Sequence, residues 1–317
     1  MTPSAGPFAD RQLAEFVGSL AEQPGMSAAV DVVALRRSSE ERASQRPPGP
    51  DMPTHDATLA EGHVGVRIYR PSGHLDAVVV YLHGGGWTIG SLQTHDRACR
   101  RLGARCGVTV AAVDYRLAPE HPAPAAIDDT VAALEWVANG PPELGGRPAV
   151  TVVAGDSAGG TLATLAALRL RGSDAAPDVL ALAYANTDLT ASGGSMIDNA
   201  HGYGLDIADI ERFNSLWVPD PDRRSDPNVS PLLVDDLAGL PYTIVVTCEL
   251  DPLRDQGEAF ARRLADAGVP VMVRREPGMV HNFLLWDLIA PSCAAAADRF
   301  GDDICRAIER RRSEAGH

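Results

Sequence analysis

The sequence predicts an α/β fold organised on a mostly parallel sheet, and three observations carry that expectation. Continuously apolar, β-branched runs recur at 78–82, 108–113 and 150–154, the composition of strands covered on both faces. Segments with apolar residues at helical spacing separate these runs, so strands and helices alternate along the chain. The 317 residues are 45% hydrophobic and 22% charged, enough to bury one large core or two modest ones.

The elements follow in chain order. Residues 1–43 carry two helical patterns, one placing Leu13, Phe16, Val17 and Leu20 on a face and one placing Met26, Val30 and Val33. The stretch after them, SQRPPGPDMPT, contains Pro47, Pro48, Pro50 and Pro53, which cannot continue a helix because proline has no amide donor. Residues 1–55 are therefore expected to form a helical cap segment with a stiff linker, and 56–317 the main α/β domain. From Val64 onward, seven runs read as strands: HVGVRIYR, AVVVYLH, VTVAAVDY, AVTVVAG, VLALAY, YTIVVTCE and VPVMVRRE. Helices are expected at 123–139, at 159–171 and at about 291–312, the last with Cys293, Ala297, Phe300, Ile304 and Ile308 on one stripe. Residues 187–231 break the alternation with a glycine-rich loop, a helix bearing Ile207, Ile210, Phe213 and Leu216, and a proline-aspartate turn region. An insertion of that length between strands suits a lid, and it is expected to join the N-terminal helices in a cap over one end of the sheet.

Composition removes whole chemistries. All 28 basic residues are arginine, so a Schiff-base aldolase, a pyridoxal-phosphate enzyme, a Walker-type nucleotide site and a serine–lysine acylase all lack their amine. With 42 acidic residues the net charge is −14, which disfavours nucleic acid and anionic membranes as partners. No apolar run reaches spanning length and the start lacks a signal-like pattern, so the chain reads as cytoplasmic. Cys99, Cys106, Cys248, Cys293 and Cys305 have no zinc-ligand spacing, and their odd number suggests buried free thiols. No metal or cofactor is implied.

The strongest chemical signal is AVTVVAGDSAGGTLATLAAL. A β-branched strand runs into Gly155-Asp156-Ser157-Ala158-Gly159 and a helix follows at once, the strand-turn-helix setting of a Gly-Xaa-Ser-Xaa-Gly elbow. Small residues two positions either side of Ser157 are needed because larger ones would collide with the neighbouring strand and helix. The Ala158 amide, at a helix N-terminus, is free to donate to a developing oxyanion. A second signal, His83-Gly84-Gly85-Gly86-Trp87, follows the strand AVVVYL, and the amides of Gly84 and Gly85 can point into the same pocket. His83 itself is expected to shape that loop.

Serine needs a base, and the base needs an acid to hold its tautomer. Asp251 follows the strand YTIVVTCE and His281 follows VPVMVRRE, in the chain order nucleophile, acid, histidine. Asp255, further from the strand end, is expected to cap the helix QGEAFARRLADAG. Asp188 ranks far below Asp251 as an acid.

Five motifs together resemble the hormone-sensitive-lipase family of α/β-hydrolase esterases: HGGGW at 83–87, YRLAPEHPAPA at 115–125, GDSAGG at 155–160, DPLRD at 251–255 and GMVHNF at 278–283. They stand in the family order and, with the linking strands, cover roughly residues 60–310. The resemblance implies an α/β-hydrolase fold, with Ser157 as nucleophile, His281 as base, Asp251 as orienting acid and an oxyanion hole from Gly84, Gly85 and Ala158. It departs at Asn282, where the family usually has glycine, and at Ala185-Asn186-Thr187-Asp188, which puts polar groups near the acyl side. Trp87, Asp156, Asn186, Asn282 and Phe283 are expected to touch substrate. Trp87, Phe213, Trp217, Phe283 and Trp286 are expected to wall a short acyl pocket.

The expected activity is hydrolysis of a small ester through an acyl-enzyme. An amide-directed deacetylase would use the same groups, and a ligand-binding protein of this fold would have lost the histidine that this chain retains. The last strand and helix leave an edge at which a second copy could pair.

Overall fold

The computed structural model describes residues 6–21, 31–59, 64–72, 75–314 and 316. Among them eight strands form one sheet: β1 (Thr54–Thr58), β2 (Gly65–Tyr69), β3 (Leu75–Leu82), β4 (Val108–Asp114), β5 (Val150–Asp156), β6 (Val179–Ala183), β7 (Tyr242–Leu250) and β8 (Val271–Val280). Their spatial order is β1-β2-β4-β3-β5-β6-β7-β8. β1 pairs antiparallel with β2 and β2 with β4, while every pairing from β4 to β8 is parallel. The helices are α1 (Arg11–Ala21), α2 (Val32–Ser44), α3 (Leu92–Cys106), α4 (Ala125–Ala138), α5 (Ala158–Arg169), α6 (Ser195–Asp198), α7 (Ile207–Trp217), α8 (Arg254–Asp266) and α9 (Pro291–Glu314). This is the α/β-hydrolase architecture.

The two-residue side-chain period of a strand divides the core in two. Val78, Val80 and Leu82 of β3 pack on one side with Ile127, Leu134, Leu162, Phe260 and Leu264 from α4, α5 and α8. Ala77, Val79 and Tyr81 face the other way, against Leu102 of α3, Phe300 and Ile304 of α9, and Leu13 and Val17 of α1. Both faces of the central strands are covered, which is why their sequence is apolar without alternation.

Three expectations change. β1, in the segment THDAT, adds a strand that the apolar pattern does not mark, because its residues are mostly exposed and carry no apolar alternation. It begins at Thr54, so the expected boundary at residues 55 and 56 falls inside a strand. In the second N-terminal pattern, Val33 is 60% exposed and α2 buries no side chain, while Met26 and Val30 lie outside the described residues. α2 is held by polar contacts instead: the Arg36 guanidinium donates to Thr88 O at 2.7 Å and Ala118 O at 2.8 Å and pairs with Glu120. The third concerns the thiols. Cys99, Cys248 and Cys293 are free and buried, but Cys106 at the end of α3 is bonded to Cys305 of α9, with Cα atoms 5.1 Å apart. The partners are separated by 199 residues, so only the packing of α3 on α9 brings them together.

No helix among the described residues is long and apolar enough to cross a membrane.

The bridge closes a long loop and should restrict the unfolded chain accordingly, by up to about 5 kcal/mol. Urea unfolding of a Cys305→Ser chain should show a lower midpoint than the oxidised parent, and the parent in reductant should approach the same value. An unchanged midpoint would mean the cross-link adds nothing.

Candidate active site

β5 ends at Asp156 and α5 starts at Ala158, so a single residue makes the turn. Ser157 takes φ 52° and ψ −121°, a conformation few non-glycine residues adopt. Neighbouring backbone holds it there: the Ser157 N–H donates to Ala183 O at 2.9 Å, and its carbonyl accepts from Gly160 N at 3.0 Å. The glycines permit the approach. A Cβ on Gly159 would lie 2.0 Å from Leu82 O, one on Gly155 2.3 Å from the Gly159 carbonyl carbon, and one on Gly160 2.5 Å from the Ala185 Cβ.

Three side chains meet at this turn. His281 Nε2 lies 2.9 Å from Ser157 Oγ, and His281 Nδ1 lies 2.8 Å from Asp251 Oδ2. A carboxylate only accepts, so Nδ1 carries the proton and Nε2 is left to accept from the serine hydroxyl. Asp251 is fully buried, and its second oxygen accepts from Leu253 N at 2.9 Å. Ser157, Asp251 and His281 are thus brought together as the sequence leads one to expect. Tyr184 rests on the imidazole at 4.6 Å between ring centroids.

The amides divide differently from expectation. Gly84 N–H donates to Asp156 Oδ1 at 3.1 Å and so is not free for a ligand. Among the described residues no protein acceptor faces the N–H groups of Gly85, Gly86 or Ala158. Gly84 is therefore corrected from donor to anchor, and Gly86 takes its place among the available donors. Ala158 is the first residue of the 12-residue α5, whose dipole favours negative charge there.

Of the five residues expected to touch substrate, three are placed otherwise. Asp156 is fully buried behind the glycine loop. Trp87 is 1% exposed and stacked on Trp217 at 4.0 Å, which fastens α7 to that loop. Phe283 is sealed edge-on against Tyr184. Asn186 lies under the turn, its N–H 3.4 Å from Ser157 O, with Oδ1 buried and unpaired. Asn282 is half-buried with φ 66°. Asparagine is one of the few side chains that tolerate this left-handed conformation, which accounts for it in a place the family usually fills with glycine.

Two carboxylates find other work. Asp255 lies inside α8 and does not cap it; its Oδ2 accepts from Ser195 N at 2.8 Å, capping α6. Asp188 Oδ1 accepts from its neighbour Thr190 N at 2.8 Å. Sequence reasoning missed Asn199, whose Nδ2 lies 3.2 Å from the carbonyls of both Glu249 and Asp251 and so ties the 187–231 insertion to the loop that bears Asp251. Nothing local marks it, since its partners are backbone atoms fifty residues away. His83 shapes the loop as expected: its Nδ1–H donates to Gly84 O at 2.8 Å, and Tyr115 OH donates to His83 O at 2.7 Å. Burial, with the neighbouring His95, pushes the His83 pKa down to about 3.

Comparison with known proteins agrees with the architecture. Residues 79–285 match the alpha/beta hydrolase fold family. The carboxylesterase NlhH of Mycobacterium tuberculosis is 43% identical over 243 residues, covering 74% of this chain and 76% of that one. An ethyl acetate hydrolase of Pseudomonas putida is 38% identical over 234 residues, 72% of this chain and 74% of that one. Among solved structures, the ester-hydrolase EH1AB1 from the metagenome of Lake Arreo superposes with a TM-score of 0.86 at 31% identity, over 94% of this chain and 98% of that one.

Gly159→Ala should destabilise the protein by about 3 kcal/mol through the backbone collision, measured by urea unfolding. Asn282→Gly should be tolerated, whereas Asn282→Val should cost about 1–2 kcal/mol from the positive φ; equal stability of the two would refute the backbone explanation. Acid should also act through His83. Its folded pKa lies below its unfolded 6.5, so between 6.5 and about 3 the unfolded chain binds the extra proton and stability falls with falling pH. Unfolding midpoints measured from pH 7 to pH 4 should fall less steeply for His83→Gln than for the parent.

Proposed function

Because this chain belongs to the hormone-sensitive-lipase-like family of the α/β-hydrolase fold and is a carboxylic ester hydrolase, we propose that it cleaves short-chain acyl esters by a serine acyl-enzyme mechanism. The observation that carries this reading is the continuous relay Asp251–His281–Ser157, at 2.8 and 2.9 Å, on a turn that holds the hydroxyl beside free backbone amides. Ser157 Oγ attacks the ester carbonyl while His281 Nε2 takes its proton. The oxyanion is received by Gly85, Gly86 and Ala158, three amides that face no protein acceptor among the described residues. His281 returns the proton to the departing alcohol, then activates the water that releases the acid. Asp251 keeps the imidazole in the required tautomer and offsets its transient charge.

The short acyl preference is supported by α7. Phe213 presses on the glycine loop, where a Cβ on Gly86 would lie 2.2 Å from its ring, and Trp217 stacks on Trp87. In this reading α1, α2 and residues 187–231 form the cap, joined to the main domain through Phe16 on Trp286, Arg36 on the 88–120 loops and Asn199 on the acid's loop. The relative from Pseudomonas putida bears the name of a two-carbon acyl substrate, in keeping with a small pocket.

A p-nitrophenyl ester series from acetyl to dodecanoyl tests this directly. Turnover should peak at or below six carbons, and Ser157→Ala should lower it by at least about a thousandfold. A peak at twelve carbons would sink the size claim. An N-acetyl amine cleaved as fast as its O-acetyl counterpart would overturn the ester preference.

A further inference from the structure

The residue before the serine has no part in the relay, yet its carboxylate is met by four polar groups from other parts of the chain. Asp156 is fully buried. Its Oδ1 accepts from Tyr81 OH at 2.9 Å and from Gly84 N at 3.1 Å, and His95 Nε2 faces the same oxygen at 3.4 Å. Tyr184 OH lies 3.5 Å from Oδ2. Burial alone would raise its pKa, but His95, the Tyr81 hydroxyl and His83 outweigh it and hold the carboxyl below the ordinary value. A buried charge of this kind persists only where its surroundings are built to solvate it.

Its geometry joins two halves of the site. The carboxylate hangs from β5, one residue before Ser157, and reaches across to the loop that leaves β3. A Cβ on Gly84 would lie 2.5 Å from Asp156 Oδ2, so the first glycine of the loop rests directly on the carboxylate. Because Gly84 gives its amide to Asp156, the amides of Gly85 and Gly86 are placed relative to the neighbouring serine.

We propose that Asp156 is a positioning residue that registers the Gly85 and Gly86 amides against Ser157 through its hold on Gly84, with Tyr81 and His95 fixing the carboxylate. The proposal rests on the ester hydrolysis described above. It assigns no proton transfer to Asp156. Its consequence is selective: losing the carboxylate impairs stabilisation of a tetrahedral oxyanion more than binding of a planar substrate.

The test compares parent, Asp156→Ala, Asp156→Asn and Ser157→Ala chains on p-nitrophenyl acetate. It also compares inhibition by an alkyl trifluoromethyl ketone, which Ser157 converts to a tetrahedral adduct, with binding of the matching methyl ketone. Asp156→Ala should lower kcat by about a hundredfold while KM stays within about threefold, and should weaken the trifluoromethyl ketone by a similar factor but not the methyl ketone. Asp156→Asn keeps a carbonyl oxygen for Gly84 and should recover part of the loss, to about tenfold below the parent. Folded Asp156→Ala with unchanged kcat, or equal weakening of both ketones, overturns the proposal. Should Asp156→Ala fail to fold, Asp156→Asn decides: an unchanged kcat and ketone ratio overturn the idea, and a selective loss supports it. A parent chain that hydrolyses no ester removes the esterase reading and this proposal together, whereas an active parent with an indifferent Asp156 removes only the latter.

Discussion

Where β5 meets α5, the Gly159 position comes so close to β3 that an added methyl would sit 2.0 Å from the Leu82 carbonyl. That closeness forces the chain to reverse in one residue, puts Ser157 at a positive φ and leaves the first amides of α5 open at the top of the sheet. A larger residue at 155 or 159 would push the helix away and carry the hydroxyl with it. α5 itself is buried along nearly all its length, which holds it at this distance from β3.

Strand order then does the gathering. β3, β5, β6, β7 and β8 are successive neighbours and parallel, so the loops after them all open at one edge, spaced by about 4.8 Å per strand. Leu82 pairs with Gly155, which brings the ends of β3 and β5 level and lets the glycine loop lie beside the serine turn. β7 and β8 deliver Asp251 and His281 from the far side, and Tyr184, at the end of the intervening β6, supports the imidazole. The sheet works as a ruler, and the side chains need only be at strand ends.

The covering elements are attached by two kinds of contact. α7 is fastened by aromatic stacking and by Phe213 on Gly86, both directly on the glycine loop. α2 and α6 are fastened by hydrogen bonds to backbone carbonyls, through Arg36, Ser195 and Asn199. Such carbonyl contacts are legible only once the fold is known, because an acceptor common to every residue leaves no trace in sequence.

The sequence by itself determined the alternating architecture, seven of the eight described strands, the elbow around Ser157 and the chain order of Ser157, Asp251 and His281. Each is a local pattern: β-branched runs report strands, and glycines report places where backbone meets backbone. Tertiary structure alone decided which amides are free, because that depends on Asp156 turning toward Gly84. It decided equally that Trp87 and Phe283 are packing residues, that Asp255 serves α6, and that Cys106 meets Cys305. In each case the partner lies far along the chain or on an unremarkable backbone atom, and its proximity arises only when the sheet and its two helical layers close around it.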